Sequence, residues 1–218
     1  MLNDDDDGDM AGEDGLPDSE ALGRICKSLP ALRHLTITRH LNAGPLLPPQ
    51  IGDLTNLESL EVSLCCLTSL PEELGELSRL TKLDLARNLF DWEPPREEGE
   101  AGADGGGADD VHRFTEDDVF PPALGTGLRS LRELDLSFCD LRAVPAFLGG
   151  LYSLEVLSLN QNKIRVDAQP DFLLDGCPRL REVKVRGAFG NLTSRAYFRD
   201  FAAKLRAKNP EAKVVFDH

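Results

Sequence analysis

The side chains that could do catalytic chemistry are few and scattered. The four histidines lie far apart, at His34, His40, His112 and His218. His34 is the one expected on an ordered outer face, and it has no evident carboxylate beside it. No glycine-rich phosphate loop and no GxSxG, HExxH or CxxC motif occurs. We therefore expect no enzymatic activity, no cofactor and no bound metal.

One calcium-loop pattern occurs in the acidic N-terminal segment. Loop positions one, three, five, six and twelve are occupied by Asn3, Asp5, Asp7, Gly8 and Asp14. A calcium-binding hand also needs a helix on each side and normally a bidentate glutamate at the last position. Only two residues precede this loop. We therefore interpret residues 1–17 as a disordered acidic tail and not as a metal site.

The cysteines form an odd set without metal-site spacing: Cys26, Cys65, Cys66, Cys139 and Cys177. No basic and apolar leader opens the chain, and no run of about 18 apolar residues occurs in it. Both features favour a reducing compartment. We expect a cytoplasmic protein, or a nuclear one, without a membrane span.

The negative charge is concentrated in two segments. The whole chain carries a formal charge of −14. Residues 1–20 hold nine acids and no base, and residues 91–118 hold eleven acids and two bases, so each segment carries −9 and the rest carries +4. The glycine-rich stretch 91–119 lacks the apolar content to fold, which predicts a disordered insertion. Its few large apolar residues could form a docking motif, but we interpret Trp92 and Val119 as anchors of its two ends.

The elements that must position these side chains are repeats. In residues 54–85, LTNLESLEVSLCCLTSLPEELGELSRLTKLDL, leucine or valine recurs with an offset of 23 residues. Alternating apolar residues suit a short strand with one buried face, and such strands bury that face only by stacking on one another. LxxLxxLxL spacing at a period of about 20 to 29 residues is the leucine-rich-repeat signature. Six copies begin at Leu29, Leu54, Leu77, Leu128, Leu151 and Cys177. The prediction is an α/β leucine-rich-repeat solenoid over residues 29–187, with a parallel sheet on its concave side.

Two further patterns keep the same register. LPPQIGDL, LPEELGEL, FPPALGTGL and VPAFLGGL recur between the strands, and their proline and glycine suit the non-helical outer side. A position that usually holds asparagine reads His40, Cys65, Asn88, Cys139, Asn162 and Ala188. An asparagine amide there can bridge the backbone of adjacent turns, and cysteine is a tolerated substitute. We therefore expect Cys65 and Cys139 to be structural and not nucleophilic.

Both ends of the solenoid have candidate caps within a domain of residues 18–218. An amphipathic helix with Asp18 or Ser19 as N-cap should cover the first repeat. Residues 192–218 should form the C-terminal cap. There, a helix that starts at Ser194 and stops at Asn209 and Pro210 precedes a short strand over residues 213–216.

LPEELGELSRLTKLDLARN, LPPQIGDLTNLESLEV and VPAFLGGLYSLEVLSLNQN resemble the intracellular leucine-rich-repeat proteins of the 23-residue, Ras-suppressor-like class. The resemblance implies a scaffold, adaptor or regulatory subunit that binds other proteins along the concave sheet. It carries over no catalytic chemistry. The two acidic segments and the irregular sixth repeat depart from the family pattern.

The outward positions of the strands give the predicted partner-binding residues. They are Glu61, Leu64, Asp84, Arg87, Glu133, Asp135, Phe138, Ser158, Asn160 and Gln161. The face they form is acidic in the middle and basic at its C-terminal end. Leu64 and Phe138 either face solvent as anchors for a partner or turn partly inward and pack.

A monomeric, non-catalytic protein-interaction module is the preferred function. The alternative is an acidic regulator, or chaperone-like binder, that holds basic proteins through the tail and the insertion. Binding to nucleic acid or anionic lipid is not expected, because the acidic segments would compete and no aromatic and basic platform occurs.

Overall fold

The fold is built on seven short parallel strands. A computed structural model describes residues 19–38, 47–90, 115–165, 170–189 and 192–216. The strands are β1 (His34–Thr38), β2 (Ser59–Ser63), β3 (Lys82–Asp84), β4 (Glu133–Asp135), β5 (Val156–Ser158), β6 (Glu182–Lys184) and β7 (Lys213–Val215). Each strand pairs in parallel with the next one along the chain, so the sheet order is the sequence order. The predicted α/β leucine-rich-repeat solenoid is confirmed.

The repeated leucines form one continuous core beneath this sheet. Leu60, Leu83, Leu134 and Leu157 pair across neighbouring strands, and each is 2% exposed or less. Because side chains alternate along a strand, the residues on either side of each leucine face away from the core. That alternation gives the opposite, concave face of the sheet its side chains.

Short helical turns stack on the outer side. They comprise 3₁₀ turns at Pro49–Asp53, Glu72–Glu76 and Ala146–Gly150 and two short helices, α3 (Ala123–Gly127) and α4 (Phe172–Gly176). Gly127 shows why glycine recurs there, since a Cβ on it would overlap the Gly75 carbonyl oxygen. Neighbouring turns therefore pack backbone against backbone.

Helical caps lie at both ends, largely as predicted. At the N-terminal end, α1 (Ser19–Ser28) buries Cys26 and packs against the Pro49–Asp53 turn. At the other end, α5 (Leu192–Lys208) precedes β7 and buries Phe198 and Phe201. The helix begins two residues before Ser194, so the prediction that Ser194 is its N-cap is wrong. None of the described helices is long and apolar enough to cross a bilayer.

The end of the acidic insertion is ordered, contrary to the prediction of disorder through residue 119. Helix α2 (Glu116–Val119) starts with a capping box between Thr115 and Asp118, in which each side chain accepts the other residue's backbone N–H. Val119 is 1% exposed, as expected of an anchor. The apolar residue at the end of α2 binds it to the core and so orders this stretch. Residues 1–17, with the calcium-loop pattern, and residues 91–114, with Trp92, lie outside the described residues.

Three aromatic rings close the gap that the insertion makes in the repeats. Phe90 directly precedes the insertion, and Phe120 follows it. Their ring centroids are 5.0 Å apart, and Phe120 stacks on Phe147 at 5.3 Å. The repeats on the two sides of the insertion therefore pack as direct neighbours.

Candidate binding face

Buried asparagines hold the strand ends that carry the outward side chains. The Asn88 amide nitrogen donates to the carbonyl oxygens of Val62 and Leu85, at 2.7 and 2.8 Å. Its Oδ1 accepts from the backbone N–H groups of Cys65 and Leu67, at 3.2 and 3.1 Å. Since unpaired buried backbone groups are costly, one side chain here stabilises two adjacent turns. Asn162 makes the equivalent four bonds two repeats later.

Cys139 occupies the equivalent position in the repeat between Asn88 and Asn162. Its thiol donates to the Leu85 carbonyl oxygen at 3.2 Å, and the side chain is fully buried. Burial raises the pKa of this thiol to about 12, so hardly any thiolate is present at neutral pH. Cys65 is buried as well. Both cysteines lie in packed, structural positions, as predicted.

A row of left-handed residues follows the strands. Leu64, Arg87, Phe138 and Gln161 have φ between 54° and 61° although none is glycine. This conformation costs about 1 to 2 kcal/mol per residue. Each backbone N–H in the row donates to a carbonyl of the next turn, as Phe138 does to Asn160 at 2.8 Å. The solenoid therefore imposes this turn, which places the four side chains at one edge of the concave face.

The structure separates the two apolar candidates in this row. Phe138 is 45% exposed, and the Arg87 guanidinium lies 4.4 Å from the centroid of its ring. This distance allows a cation–π contact. Leu64 is only half-exposed. The solvent-facing alternative therefore holds for Phe138, and the partly packed alternative holds for Leu64.

An acidic row crosses the middle of the concave face. Its members Glu61, Asp84 and Asp135 are direct partners on β2, β3 and β4, and adjacent strands lie about 4.8 Å apart. Each is half-buried. Burial, more than the neighbouring charges of Asp135 and Glu61, raises the pKa of Asp84, against a hydrogen bond from the Ala86 N–H that lowers it. The ionised form of Asp84 is therefore less favourable at this position than it would be in water.

None of the three acids in this row has an ion-pair partner among the described residues. Glu155, by contrast, is bonded to Arg132 and Arg181, both at 3.0 Å. Lys82 lies two residues before Asp84 on β3 and is in register with the exposed Glu133 of β4. The row thus keeps its negative charge open to the concave side.

Ser158, one of the predicted binding residues, is not accessible to a partner. It lies on the concave face, in register with Asp135 and Lys184, but is only 5% exposed. Its side chain is too short to rise above those longer neighbours. Asn160 and the exposed Gln161 lie closer to the basic end of the face, where the Asn160 amide oxygen accepts from the Arg186 N–H at 2.9 Å. The eight predicted residues other than Ser158 and Leu64 therefore remain available at this surface.

Strand alternation places Ser137 in an outward column next to the acidic row, but Ser137 is not among the predicted partner-binding residues. Its residue type and spacing carry no signal that separates it from Ser63 or Ser158. The environment of its hydroxyl group, visible only in the structure, distinguishes it.

Comparison with known proteins supports the repeat assignment. Residues 130–151 match the Leucine Rich Repeat family model. Toll-like receptor 7 of Drosophila melanogaster is 32% identical over 126 residues, which cover 57% of this chain and 7% of the receptor. TMV resistance protein N of Nicotiana glutinosa is 38% identical over 124 residues, 53% of this chain and 10% of that protein. The chain thus spans a tenth or less of these curated relatives.

Solved structures with similar folds include a plant peptide hormone receptor complex and a leucine-rich-repeat protein of Leptospira interrogans. The first has a TM-score of 0.49 and 22% identity, over 76% of this chain and 22% of the receptor. The second has a TM-score of 0.47 and 17% identity, over 89% of this chain and 51% of that protein. The parallel sheet and its in-register leucines show a leucine-rich-repeat solenoid fold, and residues 130–151 match one repeat of that family model.

Proposed function

We propose that the chain is a non-catalytic protein-interaction module, acting as a scaffold, adaptor or regulatory subunit, whose partner lies on the concave face. The acidic row carries this proposal. It places three half-buried carboxylates side by side, and none has an ion-pair partner among the described residues. Placing like charges together without a partner lowers the stability of the protein alone. A complementary surface would relieve that repulsion.

The row is bordered by side chains suited to a protein contact. Phe138 presents an exposed ring, and Arg87 lies against it. Aromatic and arginine side chains are enriched among the residues that dominate binding energies. We include an intracellular setting and a monomeric state in the proposal. The free thiols of Cys26, Cys66, Cys139 and Cys177 support the former.

The test is affinity capture from native lysate with the wild-type chain and an Asp84→Lys/Asp135→Lys variant, followed by mass spectrometry. A Glu72→Lys/Glu76→Lys variant is the matched control, because it makes the same charge change on two exposed residues of an outer turn. Circular dichroism and thermal unfolding establish that each variant is folded. We expect a protein that is retained by the wild type and the control but lost by the concave variant, with the loss reproduced by calorimetry on the purified partner.

Equal retention by all three folded proteins would contradict a concave site. The second candidate function, binding of basic proteins through the acidic segments, would then take precedence. It is favoured by the charge of −9 on each of residues 1–20 and 91–118. Neutralising residues 1–17 and 91–114 in turn would remove that binding, and raising the salt concentration would weaken it sharply.

A further inference from the structure

Ser137 holds a buried hydroxyl without a partner. It is 5% exposed, and its Oγ is the one buried side-chain nitrogen or oxygen of the described residues that makes no hydrogen bond. A buried polar group left unpaired costs about 1 to 3 kcal/mol. Such a group in a folded protein calls for a physical explanation, and a bound molecule is one.

The position of Ser137 places this hydroxyl beside the acidic row. The parallel ladder continues through Ser137, because its carbonyl accepts from the Arg87 N–H at 2.8 Å. Side chains alternate along a strand, so Ser137 lies on the same concave face as Asp135. In the same column, the Ser63 hydroxyl donates to Glu61 at 3.1 Å. The equivalent bond to Asp135 is not made.

The backbone accounts for that difference and leaves carboxylate oxygens free. Oδ1 of Asp135 accepts from the Ser137 N–H at 2.8 Å, and Oδ1 of Asp84 accepts from the Ala86 N–H at 3.0 Å. The other oxygen of each carboxylate has no hydrogen bond within the described residues. Two carboxylate oxygens without a hydrogen bond therefore lie on adjacent strands, on the same concave face as the unpartnered hydroxyl.

A basic group would satisfy this arrangement, and arginine fits it best. Guanidinium is a planar fork with five N–H donors, so it can bridge two carboxylates and still donate to a hydroxyl oxygen. Lysine places a single ammonium at one point. The surrounding charge also favours a basic ligand. Four acidic side chains outnumber the two nearby basic ones, Lys82 and Arg87; the acids are Glu61, Asp84, Glu133 and Asp135. The described residues contain no group of three or more acids, histidines or cysteines arranged to hold a metal ion.

We propose that the concave face binds a basic segment of a partner protein through an arginine, whose guanidinium bridges Asp84 and Asp135 and donates to Ser137 Oγ. The inference rests on the proposed function and specifies the chemistry of its partner. It also assigns Ser137 a binding role that its burial would otherwise hide.

The experiment titrates the full chain, labelled with ¹⁵N, with acetylated and amidated hexa-arginine and follows the amide resonances. The N–H groups of Ala86 and Ser137 report on the two carboxylates, because they donate to them. We expect both resonances to shift with one dissociation constant. Hexa-lysine should bind at this place roughly threefold or more weakly, since it cannot bridge the two carboxylates.

Two serine variants make the test specific. Ser137→Ala should weaken hexa-arginine at these resonances roughly three- to tenfold, the size of one hydrogen bond. It should leave the thermal midpoint unchanged or raised, because the hydroxyl has no partner to lose. Ser63→Ala is the matched control and should leave the affinity unchanged.

Several results would overturn the inference. They are a lowered midpoint in Ser137→Ala, equal affinity for hexa-lysine, or shifts confined to residues 1–18 and 91–114. If the capture experiment still returned a partner that depends on Asp84 and Asp135, the concave site would stand and only its arginine would be rejected.

Discussion

Asp84 combines an unfavourable position with a candidate role in binding. Its pKa lies above the ordinary aspartate value, chiefly because of burial, and Asp135 and Glu61 add to the shift. The ionised form is therefore less favourable in the folded chain than in the unfolded chain. Its protonation contributes stability below the ordinary pKa, and this contribution is lost as the pH rises through the raised one.

Asp84→Asn should therefore raise the thermal midpoint at pH 7. The amide can still accept from the Ala86 N–H but carries no charge. The gain should shrink as the pH falls and vanish near pH 3, below the ordinary aspartate pKa of about 3.9, where both proteins are neutral at this position. Differential scanning calorimetry across this range measures it.

Asp171→Asn is the control for that experiment, because Asp171 is paired with Lys204 and should show no gain at pH 7. A lower midpoint for Asp84→Asn than for the wild type at pH 7 would contradict the prediction. A gain would mean that this face gives up stability for a charge that a partner can use.

At the residue scale, the sequence predicted which side chains face the core and which face outward. It did not predict which of the outward side chains are exposed to solvent. Leu83 and Leu85 are buried and Asp84 lies between them on the other face, as strand alternation requires. Ser158 was misjudged because alternation gives the face of a side chain and not the height of its neighbours. Ser137 was placed on the outward face but not selected for binding, because its unpaired hydroxyl depends on which bond Asp135 makes.

Helix α2 shows the same limit at the scale of an element. Composition alone placed residues 115–119 in a disordered insertion, since the stretch is acidic. The spacing of Thr115 and Asp118 is that of a capping box, and Val119 supplies the apolar contact that follows it. The local signal was present in the sequence, but the surrounding glycine and acid outweighed it.

Replacing residues 91–114 by a neutral Gly-Ser linker of equal length should leave the thermal midpoint nearly unchanged. Extending the replacement through residue 119 should lower the free energy of unfolding by at least about 1.5 kcal/mol. It removes the buried valine side chain and the capping box of α2, which together hold the Val119 carbonyl where it accepts from the Leu70 N–H at 3.0 Å.

Guanidinium denaturation of both variants measures the difference. Equal stability of the two would show that α2 is not part of the solenoid. A large loss in the shorter replacement would place structural contacts within residues 91–114.

The whole molecule is a stack in which each strand pairs only with its neighbours in the chain. In such proteins, stability spreads from one unit to the next, so a weakened cap is felt first by the adjoining repeats. The C-terminal cap rests on Phe198 and Phe201, whose rings are 6.0 Å apart and fully buried.

Phe201→Ala should reduce the free energy of unfolding by about 3 to 5 kcal/mol. Amide hydrogen exchange should accelerate most in β6 and β7 and least in β2 and β3. Tyr152→Ala is the matched control, because this ring is 65% exposed and its loss should change little. Uniform acceleration along the whole sheet would contradict a stack with local stability and indicate a single cooperative unit.

At this scale, the sequence predicted the architecture and left the partner open, for one physical reason. The core repeats, so each buried leucine is reinforced by equivalent leucines in the neighbouring units. The concave face does not repeat, since its central row runs from Glu61 through Asp135 and Ser158 to Lys184. Because the sequence of concave-face residues occurs only once, no repeat period indicates which of them bind a partner.

The stack of Phe90, Phe120 and Phe147 has a consequence for how this chain can change. It holds the two ends of the insertion together through contacts that do not involve the segment between them. The entropy of closing a flexible loop grows only with the logarithm of its length, about 0.6 kcal/mol for each doubling. Evolution, or a protein engineer, could therefore lengthen this segment or exchange it for a folded domain while the repeats on both sides keep their register.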